Sequence, residues 1–323
     1  MADKLLEIQD LVVEYHTSEA IIHAVNGVNF SINHGETIGL VGETGAGKTT
    51  IARSILRILQ TPPAKLCGGK IIFEGQDLLE LSEVEMRKIR GDKIAMIFQD
   101  PMTALNPIEK VGWQIAEAIG LHNDVKRHEA ERKAAEMLEL VGIPAERLTD
   151  FPHQFSGGMK QRVVIAMALA CNPILLLADE PTTALDVTIQ AQVLEMMRAL
   201  KARLGTSVIL ITHDLGVVAD ICDSVAVVYA GEIVEYGTLE HIFDHPAHPY
   251  TIGLFNSLPK LDSTNEPLKP IKGLMPDPTN LPKGCKFSER CPNATSECSK
   301  ESPPIVEISS GHQVKCLLTG AKS

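Results

Sequence analysis

Apolar positions along the chain follow two spacings. The runs TIGLV (37–41), IAMIF (94–98), ILLLA (174–178), SVILI (207–211) and VAVVY (225–229) are short and unbroken. Runs of this kind predict strands covered on both faces, as in a parallel sheet. Within residues 5–34, LEIQDLVVEY and AVNGVNFSI alternate instead and predict antiparallel strands with one wetted face. TTIARSILRILQ, VVIAMALA and VTIQAQVLEMMRALKARL space their apolar residues at three and four, which predicts helices. From about residue 103 to 160 strand-like runs are missing, and VGWQIAEAIG and KRHEAERKAAEMLELVG are amphipathic, so a helical insertion in an α/β core is expected. Past residue 250 prolines multiply in PLKPI, PDPTNLPKG and SPPIVE, and an irregular C-terminal appendage is expected there.

The first buried run leads into GETGAGKTT, residues 42–50, in which Gly42, Gly47, Lys48 and Thr49 fit the phosphate-loop pattern G-x-x-x-x-G-K-[ST]. Glycines at Gly42, Gly45 and Gly47 let successive backbone N–H groups, with those of Glu43, Thr44 and Ala46, turn into one concavity at a helix start. That concavity suits a polyphosphate. Lys48 is placed to reach the β- and γ-phosphates, Thr49 to hold Mg²⁺, and Thr50 lies beside it at the start of the helix. A chance glycine-rich turn would not be expected between a strand-like run and a helical one. The predicted fold class is therefore α/β, a P-loop NTPase core of the RecA-like kind with an antiparallel β subdomain, a helical subdomain and the Cys-containing appendage.

Composition narrows the setting. The 323 residues allow one large domain or two modest ones, and 44% hydrophobic content supports a real core. No run reaches the roughly 18 apolar residues of a membrane span, and MADKLLEIQD has neither the basic start nor the apolar stretch of a signal peptide. A soluble, cytoplasmic chain is expected. A net charge of −11 argues against a dedicated nucleic-acid binder. Seven cysteines are present, four of them (Cys285, Cys291, Cys298, Cys316) in the last forty residues.

Two further segments carry chemistry. ILLLADEP ends a buried run with Asp179 and Glu180. One carboxylate at such a strand end can hold Mg²⁺ and its neighbour can orient or deprotonate an attacking water, although paired acids there also suit a solvated turn or a helix cap. FSGGMKQR puts Ser156, Gly157 and Gly158 at a helix start, a second anion site or a plain N-cap.

Taken in order, GETGAGKT, Gln99 in IFQDP, FSGGMKQR, ILLLADEP, Ala184-Leu185-Asp186 and His213 in ITHD resemble the motifs of ATP-binding cassette proteins, over residues 1 to about 250. The resemblance implies that two cassettes pack head to tail and that the Ser156–Gly158 segment of one closes over the γ-phosphate bound by the other. The signature departs from LSGGQ at Phe155 and Met159. It further implies that Tyr15 stacks on adenine, that Gln99 touches Mg²⁺ and water, that His213 contacts the γ-phosphate, and that Asp186 helps place the partner's catalytic glutamate. Glu180, His213 and Gln99 are then the catalytic set, and Thr49, Gln99 and Asp179 the Mg²⁺ ligands. HPAHPYTIGLFNSLP, with Pro246 and the run His248 to Thr251, is similar to the segment after the cassette in ATPases of dipeptide/oligopeptide importers, in their D-type subunit. That similarity implies a cassette domain over 1–250 and a C-terminal domain over 251–323. It also implies a second, different ATPase, two transmembrane permease subunits, an extracytoplasmic peptide-binding protein, no nucleic acid, and a peripheral place on the cytoplasmic side of the membrane. Nickel importers share much of the pattern. Soluble cassette proteins with other work, and a metal-sensing protein using the cassette as a scaffold, are the alternatives of another class.

The tail cysteines are spaced C-x₅-C-x₆-C-x₁₇-C, matching neither the usual zinc pairs nor ferredoxin runs. Four unligated thiols or a bound metal fit this spacing alike. The family resemblance adds the expectation of a [4Fe–4S] cluster on Cys285, Cys291, Cys298 and Cys316, with Zn²⁺ as the alternative and bracing of a small tail as its role.

Overall fold

The computed structural model describes residues 4–182, 185–257 and 270–319. Ala184 and parts of the expected C-terminal domain (258–269 and 320–323) lie outside the described residues. In chain order the elements are β1 (Lys4–His16), β2 (Ile21–Asn33), β3 (Thr37–Val41), α1 (Lys48–Ile55), β4 (Ala64–Phe73), β5 (Gln76–Asp77), α2 (Glu83–Ile89), β6 (Ile94–Ile97), α3 (Pro101–Ala104), α4 (Val111–His122), α5 (Arg127–Leu140), α6 (Gly157–Leu169), β7 (Leu175–Asp179), α7 (Val187–Leu204), β8 (Ser207–Ile211), α8 (Leu215–Ile221), β9 (Ser224–Tyr229), β10 (Glu232–Thr238), α9 (Leu239–Asp244), α10 (Pro249–Asn256), β11 (Val306–Ser309) and β12 (His312–Val314). The chain divides into two compact units, Met1–Leu6 with Ile32–Thr37 and Phe73–Thr212, and Glu7–Ser31 with Ile38–Ile72 and His213–Ser323.

In the first unit β8, β7 and β6 lie side by side and parallel, with Leu177 opposite Met96 on one side and Ile209 on the other. β7 and β8 are buried at every residue, as unbroken apolar runs require when both faces are covered. Parallel pairing brings the carboxyl ends of β6 and β7 to the same edge, which is where ligands of open α/β sheets bind. Residues 101–169 contain helices and two 3-10 turns and no strand, as the amphipathic spacing predicts.

The second unit holds β2, β1 and β4 in that order, and a five-strand array β11-β12-β10-β9-β3. β9 runs parallel to β3, Val227 opposite Val41, and antiparallel to β10. β12 pairs with β10, and β11 folds back on β12. The C-terminal appendage is thus less irregular than its prolines predict. Its last segment forms a hairpin, HQV against VEIS, that adds two strands to β10. Among the described residues no helix is long and apolar enough to cross a membrane.

Candidate nucleotide site

β3 is buried along its whole length and ends at Val41. The chain then turns through Gly42 at φ 149° and Gly47 at φ 102°. A Cβ on Gly42 would stand 2.1 Å from the Val228 carbonyl oxygen, and one on Gly47 2.4 Å from that of Ala24. Neither gap admits a side chain, so close backbone approach and the positive φ both demand glycine. α1 starts at Lys48 with Gly47 as its cap and no side-chain bond to its leading N–H groups, and this end of the helix suits an anion. Lys48 is buried, and its Nζ donates to the carbonyls of Gly42 (2.7 Å) and Glu43 (2.9 Å), lying folded across the loop. Ala46 donates its N–H to the Glu43 carbonyl at 3.2 Å and accepts from Gly231 at 2.9 Å. The Tyr15 hydroxyl is 3.2 Å from Thr50 Oγ1, which puts that ring beside the first turn of α1.

The outer flank of the loop is held by residues that sequence patterns did not single out for this task. Tyr250 Oη accepts the Glu43 N–H at 2.9 Å. Arg290 Nη1 lies 3.0 Å from Glu43 Oε2, and its side chain is almost fully buried. Tyr250 stands out in the sequence only as part of HPYT. Arg290 has no local cue at all, since 247 positions separate it from Glu43.

In the first unit, Gln99 follows β6 and donates its Nε2 to Glu180 Oε2 at 2.9 Å. Asp179 ends β7 and is 1% exposed. Glu180 adopts φ 48°, and its N–H donates to the Ile211 carbonyl at 2.8 Å. A left-handed glutamate persists only where its surroundings over-determine it, a condition common at functional sites. Ser156 caps α6 by accepting the Met159 N–H at 3.4 Å, and Gly157 and Gly158 are the first helical residues. Their N–H groups have no carbonyl four residues back within the helix. Both departures from the usual signature meet Arg147, whose guanidinium lies 4.3 Å from the Phe155 ring centroid and whose Nη1 is 3.5 Å from Met159 Sδ. Asp186 caps α7, accepting the Ile189 N–H at 3.0 Å. His213 is exposed and opens the second unit's return past Thr212. Gln99, Asp179, Glu180, Ser156 to Gly158 and Asp186 therefore belong to one unit, and Tyr15, the phosphate loop and His213 to the other.

A family model described as ABC transporter matches residues 25–183, and one described as oligopeptide/dipeptide transporter, C-terminal region, matches residues 234–298. The oligopeptide transport ATP-binding protein OppD of Bacillus subtilis is 52% identical over 98% of this chain and 89% of its own length. This chain belongs to the ABC transporter ATPases. Within that family it falls in the oligopeptide/dipeptide branch: the dipeptide transport ATP-binding protein DppD of Bacillus subtilis is 51% identical over 98% of this chain and 95% of that protein, and OppD of Escherichia coli K12 is 47% identical over 98% and 94%. A dimeric ATP-binding cassette solved in a post-hydrolysis state with ADP and phosphate superposes with a TM-score of 0.65 at 28% identity, covering 72% of this chain and 98% of that one. The P-loop NTPase fold and the ATPase class expected from the motifs are borne out.

The iron–sulfur cluster expected on Cys285, Cys291, Cys298 and Cys316, and the zinc alternative, are corrected. The relatives that match nearly end to end carry names that specify ATP as the bound ligand. Among the described residues, the one set of three or more His, Cys, Asp or Glu ligand atoms close enough to share an ion is Glu14, His16 and Cys67, not the tail cysteines. None of the four sulfurs is in a disulfide; Cys298 and Cys316 are buried, and the Cys298 sulfur accepts the Thr295 N–H at 3.5 Å. The β12–β10 ladder, Phe287 (2% exposed) and the Cys285 N–H donated to the Cys298 carbonyl at 2.7 Å hold the tail.

Proposed function

We propose that this cassette hydrolyses ATP to drive uptake of di- and oligopeptides through partner membrane subunits. The observation that carries the reading is a complete phosphate loop in a chain whose likeness to peptide-transport ATP-binding proteins extends through the C-terminal region. The loop N–H groups and Lys48 take the β- and γ-phosphates of ATP. We assign Mg²⁺ to Thr49, Gln99 and Asp179 from the motifs they stand in; all three offer oxygen donors, the Asp179 carboxylate is buried, and the ion when bound would neutralise charge on the phosphates. Glu180, one oxygen fixed by Gln99, orients the attacking water and accepts its proton. His213 steadies the γ-phosphate and Tyr15 stacks on the base. Catalysis of this kind is positioning and electrostatics.

The N-terminus of α6, where the Ser156 cap takes the Met159 N–H and leaves those of Gly157 and Gly158 without a carbonyl four residues back in the helix, supports a second anion site, and one chain with one phosphate loop has a use for it only across a dimer. A second cassette, which we take to be a different ATPase, supplies the opposite half of each site, with Asp186 at that interface. Phe98, Ile108 and Trp113 are exposed apolar residues around the start of the helical segment and suit a hydrophobic partner. We assign that face to the two permease subunits, with a peptide-binding protein outside and the cassette peripheral on the cytoplasmic side.

The test is Glu180→Gln in the reconstituted importer. ATP binding is expected to persist while turnover and labelled-peptide uptake fall by about 10²-fold or more. Uptake that continues at the wild-type rate in this variant would overturn the reading.

A further inference from the structure

The loop that is to bind a polyphosphate carries a carboxylate. Glu43 is the second residue of the phosphate loop, and its charge opposes the ligand unless something cancels it. The cancelling charge comes from the C-terminal segment. Arg290 Nη1 is 3.0 Å from Glu43 Oε2, with the arginine side chain 7% exposed and the glutamate 31%. The same nitrogen lies 3.3 Å from Tyr229 Oη, and Nε donates to the Lys272 carbonyl at 3.1 Å. The guanidinium also sits 5.7 Å from the Tyr229 ring centroid and 6.0 Å from that of Phe287. Its geometry is fixed by these contacts, so it is a rigid clamp rather than a loose surface cation.

The backbone of Glu43 is held as firmly. Its N–H is donated to Tyr250 Oη and its carbonyl accepts from Lys48 Nζ. Tyr229, Tyr250 and Phe287 form one buried aromatic cluster, with centroids 4.6, 5.2 and 5.4 Å apart. Two more contacts lie along the same flank. Met275 Cε is 3.5 Å from where a Cβ on Gly45 would stand, and the His23 N–H is donated to the Pro278 carbonyl at 2.9 Å.

We propose that Arg290 is a positioning residue of the ATP site: the C-terminal segment uses it to neutralise and fix Glu43, so that the phosphate loop accepts ATP only with that segment seated. The inference rests on the reading of GETGAGKTT as the ATP loop. It gives the appendage a part in nucleotide binding rather than in cargo choice.

The experiment compares the full-length wild type with Arg290→Ala, Arg290→Lys, Glu43→Gln and the double variant Arg290→Ala/Glu43→Gln. Each is titrated with a fluorescent ATP analogue, assayed for ATPase activity over a range of ATP, and melted as a folding control. Arg290→Ala is expected to weaken ATP about tenfold, about 1.4 kcal/mol, as a rise in KM larger than any fall in kcat. Arg290→Lys is expected to recover part of the affinity. The double variant is expected to bind at least threefold more tightly than Arg290→Ala, because removing the uncancelled carboxylate removes the repulsion. Equal ATP affinity in wild type and Arg290→Ala, or a double variant no better than Arg290→Ala, overturns the proposal. A wild type that binds no ATP defeats the nucleotide reading itself, a result separable from both.

Discussion

His248 makes the stability of the second unit sensitive to mild acid. It caps α10, its Nδ1 accepting the Tyr250 N–H at 3.0 Å, and it is 1% exposed with the Phe287 ring centroid 5.8 Å away. Its own N–H is donated to Glu235 Oε2 at 2.9 Å, a carboxylate that also meets Ala247 N–H and His312 Nε2. Burial pushes the imidazole down from its ordinary 6.5 to about 3. The native chain therefore keeps His248 neutral while the unfolded chain takes up a proton below pH 6.5. Stability from this residue is fully present above that pH and is lost as pH falls toward 3, where the native imidazole protonates too. At pH 5 the unfolded state binds nearly one extra proton, worth about 2 kcal/mol against the native state. The perturbation is His248→Asn, which keeps an N-cap acceptor and removes the titration. Urea unfolding of both proteins at pH 7, 6 and 5, followed by tyrosine fluorescence, should show the wild type losing about 2 kcal/mol more than the variant between pH 7 and 5. Parallel losses in the two proteins would refute the reasoning.

Two further substitutions test the loop. Gly47→Ala puts a methyl 2.4 Å from the Ala24 carbonyl oxygen at a φ of 102°. It should abolish ATP binding by equilibrium dialysis and cost at least about 1–3 kcal/mol of stability by denaturant titration. Tyr15→Phe keeps the ring but loses the contact with Thr50 Oγ1. It should change ATP affinity less than threefold by fluorescence titration, whereas Tyr15→Ala, which removes the stacking face, should weaken it by about 1 kcal/mol or more.

The core strands were legible because burial on both faces leaves a run of apolar residues that little else produces. β3, β6, β7, β8 and β9 fall on the five runs within a residue or two. The phosphate loop was legible because glycine is forced by sterics at fixed offsets, as the contacts of Gly42 and Gly47 bear out. β10 went unpredicted: EIVEYGT carries glutamates at buried positions, Glu232 and Glu235, whose partners Lys315 and His312 are about eighty residues away. The hairpin of β11 and β12 is short and polar, and its pairing with β10 decides its structure more than its own propensity does. The tail cysteines misled because clustering in sequence reads as ligation, while the relatives matched over nearly the whole chain are named for ATP binding and transport alone. Arg290 was invisible for a related reason. An ion pair between residues 247 apart leaves no periodicity and no spacing to read.

The hairpin that ends the described chain also shields what lies beneath it. β10 donates and accepts along one side to β9 and along the other to β12. A chain trimmed back to the end of β10 would bare the main-chain donors and acceptors of β10 that now face β12 at Glu235 and Tyr236, and such edges recruit strands from other molecules. Fragments made to simplify this protein by cutting after Thr238, 85 residues short of residue 323, would therefore be prone to stick to one another.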